Sequence, residues 1–389
     1  MQIHTVKKGD TVFKIARQHS TSPMKIIENN ELENPDRLIV GQQLLILTPT
    51  RTYTTRGSDN LSRIADRFDV EYDKLLSYNP YLYGKSNIYP GQLLAIKYDT
   101  PKYGMGFANG YCYGDTTVDR LSLAMPYVTY VTVGAGERSG DGVNLLFDDR
   151  RIIPFAKEKG KKVLLRVYDE SSDFNNSYIE NLINVLKERG YDGAMIAAYK
   201  AMKSTPESYA EFLLLLRKKL MQNDLLLFSE IDANEEYQMQ DLCDGYTLAY
   251  QKSGLEDIPD FKEGEEKTLR KFAEVGEPAK AYIDIPTLAY MGDEEILIRD
   301  AVDLAYTAGQ EIKHNDAQKI NYFNYNKYRA GRREPVRVAF ESLENLKAKL
   351  ELIGELGFMG ISFDIMKVPT EYLMLFESMF SHPKIYSDM

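Results

Sequence analysis

Apolar residues return at helical spacing in two short runs near the start of the chain, and both runs sit inside one repeated pattern. Residues 4 to 46, HTVKKGDTVFKIARQHSTSPMKIIENNELENPDRLIVGQQLLI, recur as residues 53 to 96, YTTRGSDNLSRIADRFDVEYDKLLSYNPYLYGKSNIYPGQLLAI. Each copy opens on a short strand and a glycine turn at Gly9 or Gly57. A first helix follows, its apolar positions Val12, Ile15 and Ala16 in one copy and Leu61, Ile64 and Ala65 in the other. A second helix carries Met24 and Ile27, or Tyr72, Leu75 and Leu76. Asn30 and Asn79 close these second helices, and VGQQLLI or PGQLLAI supplies a turn and a strand. The predicted unit is βααβ, twice over.

From about Pro101 the repeat stops, and strand-like apolar runs alternate with amphipathic helical stretches. The predicted strands are 106–113, 128–135, 162–168, 193–198, 225–231, 245–249, 281–285 and 360–363. Helices are expected over 150–160, 178–190, 208–220, 293–308 and 342–357. Strands alternating with helices over this length fit a (β/α)8 barrel, which needs about 250 residues. A doubly wound sheet fits less well because the chain shows no glycine-rich phosphate loop. Residues 318–342 are β-like and break the alternation, which reads as a small inserted α+β subdomain. The domain boundaries that follow are 1–49 and 50–99 for the two repeats and 100–389 for the barrel, with the insertion around 310–342.

Composition narrows the function classes. With 48 Lys and Arg against 58 Asp and Glu the net charge is −10, and no block of like charge stands out. That balance argues against a nucleic-acid partner. No apolar run reaches about 18 residues, so neither membrane insertion nor a signal peptide is expected. Cys112 and Cys243 are too few for a disulfide framework, and whether they pair is left open. His4, His19, His314 and His382 are scattered without metal-ligand spacing, so no metal or other cofactor is expected.

The repeats resemble the LysM module nearly end to end: Gly-Asp-Thr, Ile-Ala, the Asn after helix two and Gly-Gln-Leu all stand at the spacing of that family. The resemblance implies binding to N-acetylglucosamine polymers, peptidoglycan or chitin, in a shallow groove between two loops. Carried over by position, those loops are Gly9, Asp10, Thr11 and Val12 with Leu38, Ile39, Val40 and Gly41 in the first copy. In the second they are Gly57, Ser58, Asp59, Asn60 and Leu61 with Ile88, Tyr89, Pro90 and Gly91. Loop amides and carbonyls suit N-acetyl groups, and small apolar side chains suit their methyls. The plain alternative is that these glycines only make turns and these apolar residues only fill a core.

MPYVTYVTVGA (125–135), GYDGAMIAAYK (190–200), TLAYQKSG (247–254) and GISFDIMKVP (360–369) resemble strands of family 18 glycoside hydrolases, in particular spore cortex-lytic enzymes with two leading LysM modules. Those enzymes use the substrate's own N-acetyl oxygen as nucleophile. Their motif Asp-Gly-x-Asp-x-Asp-x-Glu supplies a general acid and an acetamide-orienting Asp. Here the motif positions hold Asp192, Met195, Ala197 and Tyr199, so only the first acid survives. A phenol with an ordinary pKa near 10 protonates a leaving group poorly. Tyr250 matches the family's acetamide-binding Tyr, and Phe363 or Asp364 replaces its floor residue, the chain having no Trp. Asp192 also reads as a core acid or turn former, and Tyr250 as an ordinary buried Tyr.

The sequence therefore reads as a wall-associated glycan-binding protein with a non-catalytic, glycosidase-like barrel, placed in the cell wall or the spore coat and cortex. One rival is an active N-acetylglucosaminidase whose acid has moved to Glu230 or Asp232, at the strand ends where barrel sites sit, with Asp284 and Asp364 on later strands. Another is a scaffold whose barrel contacts spore-coat proteins.

Overall fold

The structure, a computed structural model, describes residues 1–82, 88–169, 171, 175–232, 241–249, 260–329 and 332–381. The first repeat folds as β1 (Gln2–Thr5), α1 (Val12–Gln18), α2 (Pro23–Asn29) and β2 (Gln43–Ile46), and the second as β3 (Arg51–Thr54), α3 (Leu61–Phe68), α4 (Tyr72–Ser77) and β4 (Leu93–Lys97). In each, the outer strands pair antiparallel. Thr11 and Asn60 start the first helices by accepting from the backbone N–H of Lys14 and Arg63, which satisfies a donor the helix itself cannot. The asparagine after each second helix clamps the last strand. Asn30 donates to the carbonyls of Ile26 and Leu45 and accepts from Leu45 N–H, and Asn79 repeats this with Leu75 and Ala95. Only a carboxamide offers a donor pair and an acceptor in that space.

The eight expected barrel strands form. They are β5 (Phe107–Cys112), β6 (Tyr130–Ser139), β8 (Lys162–Tyr168), β9 (Gly193–Ala197), β10 (Leu226–Asp232), β11 (Gly245–Ala249), β12 (Ala281–Asp284) and β18 (Gly360–Asp364). All neighbours run parallel, and the β5–β6 pairing closes the ring. A short β7 (Gly142–Leu145) extends β6 as a hairpin. Helices α5 (Val118–Ala124), α6 (Ile152–Glu158), α7 (Asn176–Arg189), α8 (Tyr199–Ser204), α9 (Pro206–Met221), α10 (Lys267–Val275), α12 (Leu343–Leu356) and α13 (Thr370–Met379) lie between and after the strands.

Between β12 and α12 the chain adds a five-stranded antiparallel sheet, β13 (Leu288–Met291), β14 (Glu294–Leu297), β15 (Lys313–Asn315), β16 (Ile320–Arg329) and β17 (Arg332–Glu341), with α11 (Ile298–Thr307). The sheet takes in residues upstream of the 310–342 stretch marked from the sequence. It also corrects the helix expected over 293–308. Glu294–Leu297 pairs with β13 as a strand, and the helix starts only at Ile298, because the ladder partner outweighs the helix-compatible local composition.

The barrel interior is filled. Phe107, Tyr111, Tyr130, Leu164, Met195, Phe228 and Tyr282 form an inner apolar cluster distinct from the layer between strands and helices. The Tyr130 ring lies 5.0 Å from Phe228 and 6.2 Å from Tyr282. Cys112 and Cys243 are both buried and unpaired.

Candidate functional site

Strand alternation decides which side chains reach the carboxyl-terminal mouth of the barrel. On β9, Ala194 and Ile196 join the outer layer and Met195 the interior, so Ala197 also belongs to the inward row. On β8, Val163, Leu165 and Val167 face outward and Leu164 inward, which turns Arg166 inward. The same parity on β10, with Leu227 and Ile231 outward and Phe228 inward, aims Glu230 and Asp232 at the mouth. On β12 and β18 it selects Asp284, Ser362 and Asp364. Phe363 packs in the outer layer, so of the two floor candidates Asp364 is the one on the inward face.

At the centre of the mouth, the Arg166 guanidinium grips Glu230 with two hydrogen bonds, Nε to Oε2 at 2.6 Å and Nη2 to Oε1 at 3.1 Å. The Tyr199 hydroxyl, on the first residue of α8, donates to the same Oε1. Arg166 and Glu230 stand on strands either side of β9, where Met195 is in register with both Arg166 and Phe228. The inward residues of β9 there, Met195 and Ala197, carry no charge, which leaves Arg166 free to reach across to Glu230. A buried cation costs several kcal/mol unless paired. Burial opposes the Arg166 charge, but Glu230 beside it more than compensates and holds its pKa above the ordinary value. Burial first, and then the Glu230 charge, hold the Tyr199 hydroxyl well above the usual phenol range. Tyr199 is therefore a fixed donor at neutral pH.

Tyr111 and Tyr113 complete this wall, their rings stacked with centroids 6.4 Å apart. A methyl group on Gly134 would lie 2.4 Å from the Tyr113 ring, so glycine there makes room for the tyrosine. Among the described residues, the other carboxylates on the inward rows are also engaged. Asp232 lies 3.5 Å from Lys203 Nζ, Asp284 accepts from Ser362 Oγ at 3.2 Å, and Asp364 pairs with Lys367 at 3.0 Å and accepts from Met366 N–H at 2.9 Å.

Asp192, by contrast, sits before the amino end of β9, at the far end of the barrel. Its carboxylate accepts from Val163 N–H at 2.8 Å, its own N–H donates to Val163 O at 2.7 Å, and Lys157 and Lys162 lie 3.3 and 3.8 Å away. It clamps β9 to β8. Tyr250 lies outside the described residues. Sequence reasoning passed over Arg166, although an arginine alternating with the apolar Leu165 and Val167 on a barrel strand, in the same row as Leu164, is a readable sign of an inward charge that needs a partner.

In the amino-terminal repeats the loops expected from the sequence to bind glycan make equivalent hydrogen bonds in the two copies. Asp10 and Asp59 each accept from the backbone N–H three residues earlier, at Lys7 and Arg56. This register makes Ser58 the counterpart of Gly9. Gln42 accepts from Ile39 N–H as Gln92 does from Tyr89 N–H, so Leu38–Gly41 matches Ile88–Gly91 residue by residue.

Residues 4–47 and 53–97 match the LysM domain model. The chain carries two LysM domains. Over almost its whole length it also shares a fold with the Bacillus cereus spore cortex-lytic enzyme SleL, with a TM-score of 0.75 at 20% identity, covering 98% of this chain and 99% of that one. Among sequences, it is 25% identical over 252 residues to the putative sporulation-specific glycosylase YdhD of Bacillus subtilis, covering 60% of this chain and 59% of that protein. It is 32% identical over 99 residues to the endolysin of Bacillus phage B103, covering 24% and 38%. The chain thus spans less than two thirds of the length of these curated relatives.

Proposed function

We propose that this chain binds N-acetylglucosamine-containing wall glycan through its LysM domains, in the cell wall or spore cortex, and that its barrel does not hydrolyse that glycan. Support for the first half is the pair of LysM domains, together with relatives named for spore cortex lysis, sporulation and phage lysis.

One observation carries the second half. Where the resembled enzymes hold a general acid, Tyr199 gives its proton to a hydrogen bond with Glu230, which is itself gripped by Arg166. Glycoside cleavage needs a protonated carboxyl poised at the leaving oxygen. Here the central carboxylate accepts on both oxygens, and the phenol is held too basic to act as that acid. The constellation is built as a structural polar core closing the top of an aromatic plug.

The test is incubation of the full chain with insoluble peptidoglycan, reading sedimented protein and released reducing ends together. Sedimentation without release supports the proposal. Release that disappears in Glu230→Gln or Asp232→Asn overturns it in favour of a relocated acid.

A further inference from the structure

The two LysM domains share a backbone but not a surface. Gly41 and Gly91 both have φ of +89°, and their N–H groups donate to the equivalent carbonyls of Val6 and Thr55 at 2.8 and 2.9 Å. Their surroundings are opposite. A methyl group on Gly41 would lie 1.7 Å from the Ile312 carbonyl oxygen, while one on Gly91 meets nothing within 4 Å. Ile312 N–H also donates to Val40 O at 2.9 Å, and the Arg37 guanidinium stacks 5.2 Å from the Tyr306 ring of α11. Next to Val40, Ile39 is 6% exposed and belongs to the barrel's own apolar cluster. Its counterpart Tyr89 is 67% exposed.

The second domain docks through a different face. Tyr78, Ala95 and Tyr98 pack into the barrel cluster, and the Ser77 carbonyl accepts from the Tyr127 hydroxyl at 2.9 Å. That arrangement leaves the loop at Ile88–Gly91 facing solvent beside exposed Gly57 and Ser58. The loop is also stiffened from below. Thr55, which replaces the Val6 of the first copy, donates through Oγ1 to the Tyr89 carbonyl and accepts from Gln92 N–H at 3.0 Å. A rigid loop presenting an exposed aromatic has the shape of a sugar platform, because the ring face packs on pyranose C–H groups and little ordering remains to be done on binding.

We infer that the two LysM domains have divided their labour: the first is the barrel's anchor, one wall of its groove taken by Ile312, and the second alone receives glycan, with Tyr89 as its stacking residue. This rests on the proposed glycan binding. The intact chain is then a univalent binder in spite of its tandem repeat, without the avidity that two linked free modules provide.

The experiment is a sedimentation isotherm of the full chain on insoluble peptidoglycan, for wild type, Tyr89→Ala and Phe13→Ala. Phe13 is a solvent-exposed aromatic of the first domain, 74% exposed on α1, and both replacements remove exposed side chains, with melting curves verifying that the fold is kept. The expected result is an affinity loss of about tenfold for Tyr89→Ala, the scale of a central aromatic contact, and less than about twofold for Phe13→Ala. Equal loss in both variants, loss confined to Phe13→Ala, or wild-type binding by Tyr89→Ala overturns the division of labour. Wild-type protein that stays in the supernatant instead defeats the glycan-binding reading on which it rests.

Discussion

The Tyr199 hydroxyl donates to the Glu230 carboxylate, which already holds two hydrogen bonds from Arg166. Three strands or their ends supply these groups, so the contact ties together β8, β9 with the start of α8, and β10. Its components depend on one another: remove the cation and a buried carboxylate keeps only the Tyr199 hydroxyl and has no counter-charge.

Arg166→Met is therefore expected to lose about 3–5 kcal/mol of stability, the range for breaking one half of a buried pair. Arg166→Met/Glu230→Leu, which removes both charges, should lose clearly less than the sum of the two single changes. Denaturant unfolding of the four proteins measures the coupling. Additive losses would show that the pair is not energetically linked.

Tyr199→Phe removes one donor to a charged acceptor and should cost about 1.5–3 kcal/mol. Tyr199→Glu is expected to cost more, because it sets a second carboxylate against Glu230 with a single arginine between them. Thermal melting ranks the two. A Glu variant as stable as wild type would mean that the mouth still accommodates an acid.

Gly41→Ala and Gly91→Ala impose the same left-handed strain, worth about 1–2 kcal/mol. Only Gly41→Ala adds a collision with the Ile312 carbonyl. It should melt lower than Gly91→Ala, and the difference isolates the contact between the first LysM domain and the inserted sheet. Identical melts would place that contact outside the folded state in solution.

Asp192→Ala leaves the Val163 N–H without its acceptor and two lysines without their partner. A loss of about 1–3 kcal/mol is expected, with glycan sedimentation unchanged, since the residue stands at the end of the barrel away from the mouth. Weakened sedimentation with an unchanged melt would restore it as a ligand contact.

Much of the architecture was legible in the chain. The barrel strands are legible as apolar runs, and their approximate positions follow from that pattern, although β6 continues past its apolar stretch to an exposed end at Ser139. The LysM repeats were legible because Asn30 and Asn79 must recur wherever the last strand needs the same clamp. Glu294–Leu297 was misread because its state is set by a ladder with Leu288–Met291 that no local pattern shows. That Met195, Ala197 and Tyr199 carry no carboxylate was plain from the sequence, but the Arg166–Glu230 pair beside them joins residues 64 apart in sequence, and only folding brings the two together. The unequal fates of Ile39 and Tyr89 were written in their identities, an aliphatic against an amphipathic aromatic. Their meaning appears only once one loop is seen against Ile312 and the other against solvent.

The proposed function is binding of wall glycan without cleavage. Its most direct measurement is reducing-end release by the full chain from purified peptidoglycan, at protein concentrations where the same samples show saturated sedimentation. Saturated binding with release no faster than in the protein-free control is the expected result. Release above that control, abolished in Glu230→Gln while sedimentation persists, would make the barrel a hydrolase with Glu230 as its acid.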